Sequence, residues 1–282
     1  NAMFEQAKSE LDLTSMTSFD TPYLIILGGQ PGSGKSSVIE KIEEYFANNI
    51  MALNGDDFKT TYPGYDMLLA QDPIKTSEEV QPYSNYVVNQ LKNYYANKKI
   101  NLIIEGTMRT SEVPLSTINE FKDKVYQVEA YVVVANYYAS RTGCLFRLEM
   151  DIAGNGYGRA VPVESHDAAY KNIPVTMQKL IDSGKLENLT IMSRNGEIIA
   201  ELRNGNNVVD IYERRRNLLT KSDFNQIKES LSQVVDMMQQ RHAGRNEIDK
   251  VMKLQEDVDS SYYNQEFTKD LEINKNESQI NF

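Results

Sequence analysis

The sequence predicts an α/β fold: a mostly parallel sheet in a three-layer sandwich of the P-loop NTPase or kinase type, with an edge hairpin and a helical C-terminal extension. Three observations predict it. Gly29-Gln-Pro-Gly-Ser-Gly34-Lys35-Ser36 fills every position of the G-x-x-x-x-G-K-[ST] phosphate loop. An apolar run at 23–27 ends just before the loop, and Val38, Ile42, Tyr45 and Phe46 follow it at helical spacing. Short apolar runs then alternate with helical periods, the pattern of βαβ units.

The elements follow in order. Strand 23–27 leads through the loop into a helix over 37–46. A second short strand covers 50–53 and precedes a polar segment that extends through Pro63-Gly64. Pro82 opens a helix over about 83–96, and 99–104 is a buried strand ending at Glu105. A short helix at 113–121, a strand at 128–134 and a longer helix at 136–152 come next, the last closed by Gly154-Asn-Gly156. A helix over 164–183 has Gly184 as its C-cap. Runs at 189–192 and 197–200 flank Asn195-Gly196, which predicts a hairpin with a type I′ turn at the sheet edge. A helix over 222–240 precedes a polar, acidic stretch at 246–282, read as a loosely docked helix or partly disordered chain. Three divisions result: an N-terminal segment at 1–20, a P-loop kinase domain at 21–212, and a helical, partly disordered extension at 213–282. Asn1-Ala2 before Met3 reads as a cloning remnant.

Composition narrows the class. The chain has 282 residues, 40% hydrophobic and 25% charged, as expected of a soluble globular protein. No stretch approaches the ~18 apolar residues of a membrane span, and no signal peptide is evident. One cysteine, Cys144, excludes an intramolecular disulfide and fits a reducing, cytoplasmic setting; within a helix it reads as a packed thiol. The net charge of −10 disfavours a polynucleotide partner.

The loop dictates chemistry. Its glycines let successive N–H groups point into one concavity at a helix N-terminus, a site for the phosphates of ATP. Lys35 reaches the β/γ-phosphates, and Ser36 offers a hydroxyl to Mg²⁺. Gly29, Gln30, Pro31, Gly32, Ser33, Gly34 and Ser37 complete the binding loop. Asp56 or Asp57, after the second strand, is a candidate general base, an N-cap or Asx-turn being the plain alternative. Glu105, at the end of a strand, suits metal or acceptor; Thr107 and Arg109 could bind acceptor hydroxyls or phosphates. Arg141, Arg147 and Arg159 are candidates for steadying a transferring phosphoryl group, and spacing does not choose among them. His166 reads as a capping or packing residue, since no second histidine lies at ligand spacing. Arg214-Arg-Arg216 reads as a solvated face or helix end. Thr220-Lys-Ser-Asp223 matches a guanine-reading pattern, but no buried strand precedes it, so a helix cap by Ser222 or Asp223 explains it better.

Together these residues resemble the zeta toxin family of bacterial toxin–antitoxin systems. The matching pieces are the phosphate loop, Asp56-Asp-Phe-Lys59 with Tyr62-Pro63, Pro82-Tyr-Ser-Asn85, Ile104-Glu-Gly-Thr-Met-Arg-Thr110 with Val113-Pro114, Arg147-Leu-Glu149, Arg159-Ala-Val-Pro162, His166-Asp167 and Lys171-Asn-Ile-Pro174. They keep the family's order over about 21–200. The resemblance implies phosphorylation of an amino-sugar hydroxyl of UDP-N-acetylglucosamine with ATP and Mg²⁺, and a small antitoxin partner covering the nucleotide site. It implies Asp56 as general base, Lys35 and Ser36 on phosphate and metal, Arg147 and Arg159 on the transferring phosphate, and Glu105, Thr107 and Arg109 along the acceptor. Asn89 stands where the family has an acidic residue facing the acceptor sugar, and Met108 where a small residue is common. Those departures leave room for a kinase with another acceptor (an antibiotic, sugar or nucleoside), and the acidic tail for a nucleotide-dependent regulatory protein.

Overall fold

β1 (Tyr23–Gly28) lies inside a six-stranded sheet with β2 (Met51–Leu53), β3 (Leu102–Gly106), β4 (Gln127–Val133), β5 (Asn188–Met192) and β6 (Ile198–Glu201), in the order β2-β3-β1-β4-β5-β6. The first five are parallel, and β6 pairs antiparallel with β5 at the edge. The computed structural model describes the backbone of residues 16–280 and the side chains of 16–266. Residues 1–15 of the N-terminal segment fall outside that range.

Alternation along β1 builds the layers. Leu24 and Ile26 face a large core shared with α3 (Pro73–Asn97), α4 (Glu112–Asp123), α6 (Val163–Asp182) and α7 (Val208–Asn217). Ile25 and Leu27 face the other way, against Val38 and Ile42 of α1 (Lys35–Tyr45). A third cluster joins α5 (Tyr137–Asn155), α8 (Lys221–Gln240) and α9 (Arg245–Ile280). Short α2 (Tyr65–Gln71) follows a 3₁₀ segment, Gly55–Thr61. Among the described residues no helix is long and apolar enough to cross a membrane.

Several sequence expectations need correction. α3 starts at Pro73, ten residues before the expected site. Asp72 caps it by accepting from the Lys75 N–H at 3.0 Å, Pro73 occupies the first turn, and Pro82 sits inside the helix. A strong cap with proline at N1 outweighs the single backbone bond that an interior proline removes. The hairpin turn is not type I′, which would need two left-handed residues. Of its residues only Gly196 is left-handed, at φ +80°. The Gly196 N–H donates to Ser193 O and the Ser193 N–H to Glu197 O, so a three-residue loop closes the hairpin. Arg214, Arg215 and Arg216 form the last turn of the helix over 208–217, as a helix end should, with Arg214 and Arg215 exposed and Arg216 paired with Glu213 at 2.7 Å and lying over the Tyr170 ring.

The extension is packed, not loose, through the described side chains. Val251 and Val258 of α9 are buried against Leu231 and Val234 of α8. Two such side chains contribute about 1.5–3 kcal/mol each, whereas the half-buried surface pair Lys228–Asp259 at 2.7 Å contributes about 0–1 kcal/mol. Apolar burial therefore holds α9. A buried Glu149 on α5 accepts two bonds from Arg241, at 2.7 and 2.9 Å, and ties α8 to α5.

The guanine-like motif is a helix cap, led by Thr220 rather than Ser222 or Asp223 alone. The Asp223 N–H donates to Thr220 Oγ1, and the Thr220 N–H donates back to Asp223 Oδ2. Thr220→Ala is accordingly expected to cost about 1 kcal/mol, seen as a lower urea midpoint, and to leave nucleotide preference unchanged in a competition assay.

Candidate active site

Parallel strands deliver their loops to one edge of the sheet, and register decides what meets there. Gly28, the last residue of β1, lies opposite Gly106 of β3, and Leu27 opposite Glu105. The phosphate loop therefore emerges abreast of the Glu105 carboxylate. β2 releases Asn54-Gly55-Asp56 at the same edge, and β4 leads through Asn136 into α5 with Arg141 and Arg147.

The loop's shape depends on glycine at two points. Gly32 has φ +74°, and a Cβ there would stand 2.1 Å from the Ser140 carbonyl oxygen and 2.9 Å from the Cys144 amide nitrogen. Gly34, at φ +96°, is the left-handed N-cap of α1 and passes 3.2 Å from the Arg194 carbonyl oxygen, measured from the same hypothetical atom. α1 has neither a side-chain cap nor an acid in its first turn, so its N-terminus meets no negative charge of its own. Ser36 and Ser37 are exposed there.

Lys35 folds back along this loop. Its Nζ donates to Gly29 O at 2.9 Å and Gln30 O at 3.3 Å, and stands 3.5 Å from Glu105 Oε1. Burial pushes its ammonium below the usual lysine range; Glu105 opposes this and Arg147 adds to it. Asp56 follows the Asx-turn of Asn54, whose side chain accepts from the Asp56 N–H. Its carboxylate pairs with Lys59 Nζ at 2.8 Å. Burial pushes Asp56 upward, but the Lys59 charge and hydrogen bond, helped by Arg159 and Arg147, hold it below the ordinary value. Asp57 moves the other way: burial, Glu105 and Asp56 all raise it. Two adjacent carboxyls are thus set apart, Asp56 ionised and Asp57 the easier to protonate.

Unpaired polar atoms occur on the loop and on α5. Gln30 Oε1, Ser33 Oγ, Arg141 Nη1, Thr142 Oγ1 and Arg147 Nε are buried without a hydrogen-bond partner; the remaining such atoms among the described residues are the hydroxyls of Tyr95 and Tyr212. Ser33 Oγ, Arg141 Nη1 and Arg147 Nε are donors that an anion on the loop could engage, whereas Gln30 Oε1 can only accept.

The structure thus groups Lys35, Asp56, Asp57, Glu105, Arg147 and Arg159. Among the described residues no side-chain hydrogen bond or ion pair ties Asn89, Thr107 or Arg109 to that group; all three are exposed. Met108 proves to be a core residue, buried at φ +50° with its sulfur where a Gly28 Cβ would go. His166 packs between α5 and α6 and caps nothing. Cys144 is a buried thiol, as its helical position suggests.

Two residues escaped the sequence reading. Lys59 is almost fully buried with its charge on Asp56; the i,i+3 spacing was the available signal. Arg194, at the hairpin tip, donates from Nη2 to Gly32 O at 3.4 Å across the sheet edge, and no local pattern marks it.

The profile described as Zeta toxin matches residues 8–207. The chain belongs to the zeta toxin family. Toxin zeta of Enterococcus hirae is 33% identical over 178 residues, which cover 63% of this chain and 62% of that protein. Toxin PezT of Streptococcus pneumoniae serotype 4 is 27% identical over 215 residues, covering 76% and 83%. The fold is similar to a structure of the PezAT chromosomal toxin–antitoxin system of Streptococcus pneumoniae, with TM-score 0.73 and 23% identity over 84% of this chain and 97% of that one. An AvrRxo1-ORF1:-ORF2 complex is a more distant likeness, with TM-score 0.51 and 14% identity over 91% of this chain and 78% of the other. The family match ends within the β6 to α7 region, so α8 and α9 lie beyond it.

The two glycines give the site its test. In Gly32→Ala the new methyl meets backbone oxygen, which cannot swing aside as a side-chain tip would. We expect that variant to lose ATP-analogue binding in titration calorimetry and to melt at a lower temperature than the parent.

Proposed function

We propose that this protein is an ATP-dependent phosphotransferase acting on a sugar hydroxyl of UDP-N-acetylglucosamine, as the toxin of a toxin–antitoxin pair in the cytoplasm. The observation that carries the reading is the meeting of an ionised Asp56 with Arg147 and Arg159 beside a phosphate loop whose buried donors lack partners. Family membership supports the acceptor class, and relatives named as toxins support the role, with a small antitoxin protein as partner.

The chemistry is an in-line transfer. The phosphate loop amides and Lys35 hold the β/γ-phosphates, which draws the ammonium off the Gly29 and Gln30 carbonyls. The acceptor oxygen attacks the γ-phosphorus, the bond to the β-phosphate oxygen breaks, and ADP leaves. Asp56 accepts the hydroxyl proton as the new bond forms. Arg147 and Arg159 steady the charge spread over the transferring group. Glu105, Thr107, Arg109 and Asn89 line the acceptor side.

A divalent cation suits the donor set. Among the described residues no cluster of three histidine, cysteine or acidic side chains would cage one. Mg²⁺ needs no cage, because phosphates and water supply most of its ligands. Ser36 would give it a hydroxyl, and the mutual repulsion of Asp57, Glu105 and Asp56 marks a place where positive charge is welcome. When bound, the ion neutralises charge on the β- and γ-phosphates.

The experiment is incubation with ATP, Mg²⁺ and UDP-N-acetylglucosamine, with mass spectrometry for a singly phosphorylated sugar nucleotide. Asp56→Asn should lower kcat by about 10²–10⁴-fold while retaining ATP affinity; undiminished turnover would remove Asp56 from the role. Because its carboxyl sits below the ordinary range, Asp56 stays ionised through mildly acid pH. Its contribution to rate, and the stability of its Lys59 pairing, are then present above the usual carboxylate pKa and lost only as pH falls through the lowered value. A kcat profile without an acid limb between about pH 5 and 8 is the expected result.

A further inference from the structure

A continuous hydrogen-bonded chain runs from the phosphate loop into the helix layer. Gln30, fully buried, donates from Nε2 to Ala135 O at 3.1 Å and to Ser140 Oγ at 3.3 Å. Ser140 Oγ lies 2.8 Å from His166 Nε2, and His166 Nδ1 lies 3.0 Å from Asp167 Oδ1. Ser140 and His166 have no exposed surface.

The protons of this chain can be placed. With the Asp167 carboxylate oxygen as the acceptor, Nδ1 of His166 carries the ring proton and Nε2 is a bare acceptor. Ser140 gives its proton to that nitrogen, which is closer than its competing acceptors, Asn136 O at 3.2 Å and Tyr137 O at 3.0 Å. The serine oxygen is then free to accept from Gln30. Burial of the ring favours the neutral imidazole above all, with a smaller push from Arg141 on α5, while Asp167 works against them. Tyr137 of α5 and Tyr170 of α6 cover the ring edge and face.

Packing alone would need only a ring of this size between α5 and α6. The far end of the chain gives it another consequence. The carbonyl of Gln30 accepts from the Ser33 N–H at 3.1 Å and from Lys35 Nζ at 3.3 Å. Fixing the Gln30 side chain therefore fixes the peptide that closes the loop and receives the lysine.

We propose that His166, acting through Ser140 and Gln30, is a positioning residue that holds the phosphate loop in its nucleotide-receiving shape. The proposal rests on the reading of this loop as an ATP site and adds a determinant of nucleotide affinity remote from any phosphate.

Titration calorimetry of the full chain with a non-hydrolysable ATP analogue and Mg²⁺ tests it without any acceptor. Ser140→Ala and His166→Phe are each expected to weaken binding by about tenfold. His166→Gln, whose amide can again pair with Ser140, should stay within about threefold of the parent. In turnover, the same order should show in the KM for ATP, with kcat and the acceptor KM nearly constant. Should His166→Phe fail to fold, Ser140→Ala decides alone, since it removes one oxygen. A folded Ser140→Ala that binds as tightly as the parent overturns the proposal, as does a fall in melting temperature across all three variants without a change in affinity. A parent chain that binds no analogue refutes the ATP reading itself, a separate outcome.

Discussion

The close approach of the phosphate loop to α5 is the constraint on which the rest depends. Gly32 and Gly143 face each other across it. A Cβ on Gly32 would strike the Ser140 carbonyl oxygen, and one on Gly143 would stand 2.8 Å from Gly32 O. Only two bare backbones come this near. The contact fixes where α5 begins relative to the loop, and hence where Arg141 and Arg147 project. Against this same helix α8 buries its apolar face, and α9 packs on α8 behind it. The extension thus buttresses the helix that carries Arg147, although it lies beyond the region matched by the family.

Charge at the sheet edge is arranged by pairing rather than by number. The chain carries −10 overall, yet its loop is ringed by Lys35, Arg141, Arg147 and Arg194, all of whose charges act on the buried Cys144 thiol. Acids are held where they balance single cations: Glu105 by Lys35, Asp56 by Lys59. An acidic surface and an anion-binding cleft coexist because the cleft's cations are drawn from three separate segments and shielded from solvent.

Fold class was legible from the sequence because its signals are local. The phosphate loop, the apolar runs and the alternation of periods each lie within a few residues, and they announce a mostly parallel sheet with an edge hairpin, though not its strand order. Misreadings arose where two local signals competed. Pro82 suggested a helix start, but Asp72-Pro73 upstream had already begun the helix. Asn195-Gly196 suggested one turn type, but Ser193 closes a three-residue loop, its carbonyl accepting from the Gly196 N–H and its hydroxyl from the Asn195 and Glu197 N–H groups.

By itself, then, the sequence determined the phosphate loop, the strand-end acids Asp56 and Glu105, and the parallel architecture, since each is written in adjacent residues or in a short period. Tertiary structure alone decided that Lys59 holds Asp56 ionised, that Arg147 and Arg159 of the three candidate arginines act on that carboxylate, that Met108 faces the core, and that His166 reaches the loop through Ser140. Apart from the i,i+3 pair of Asp56 and Lys59, these contacts join residues from 26 (Ser140–His166) to 110 (Gln30–Ser140) positions apart, and they depend on side-chain directions that packing sets. Periodicity places a residue on a face, but only the assembled neighbours determine which charge that face meets.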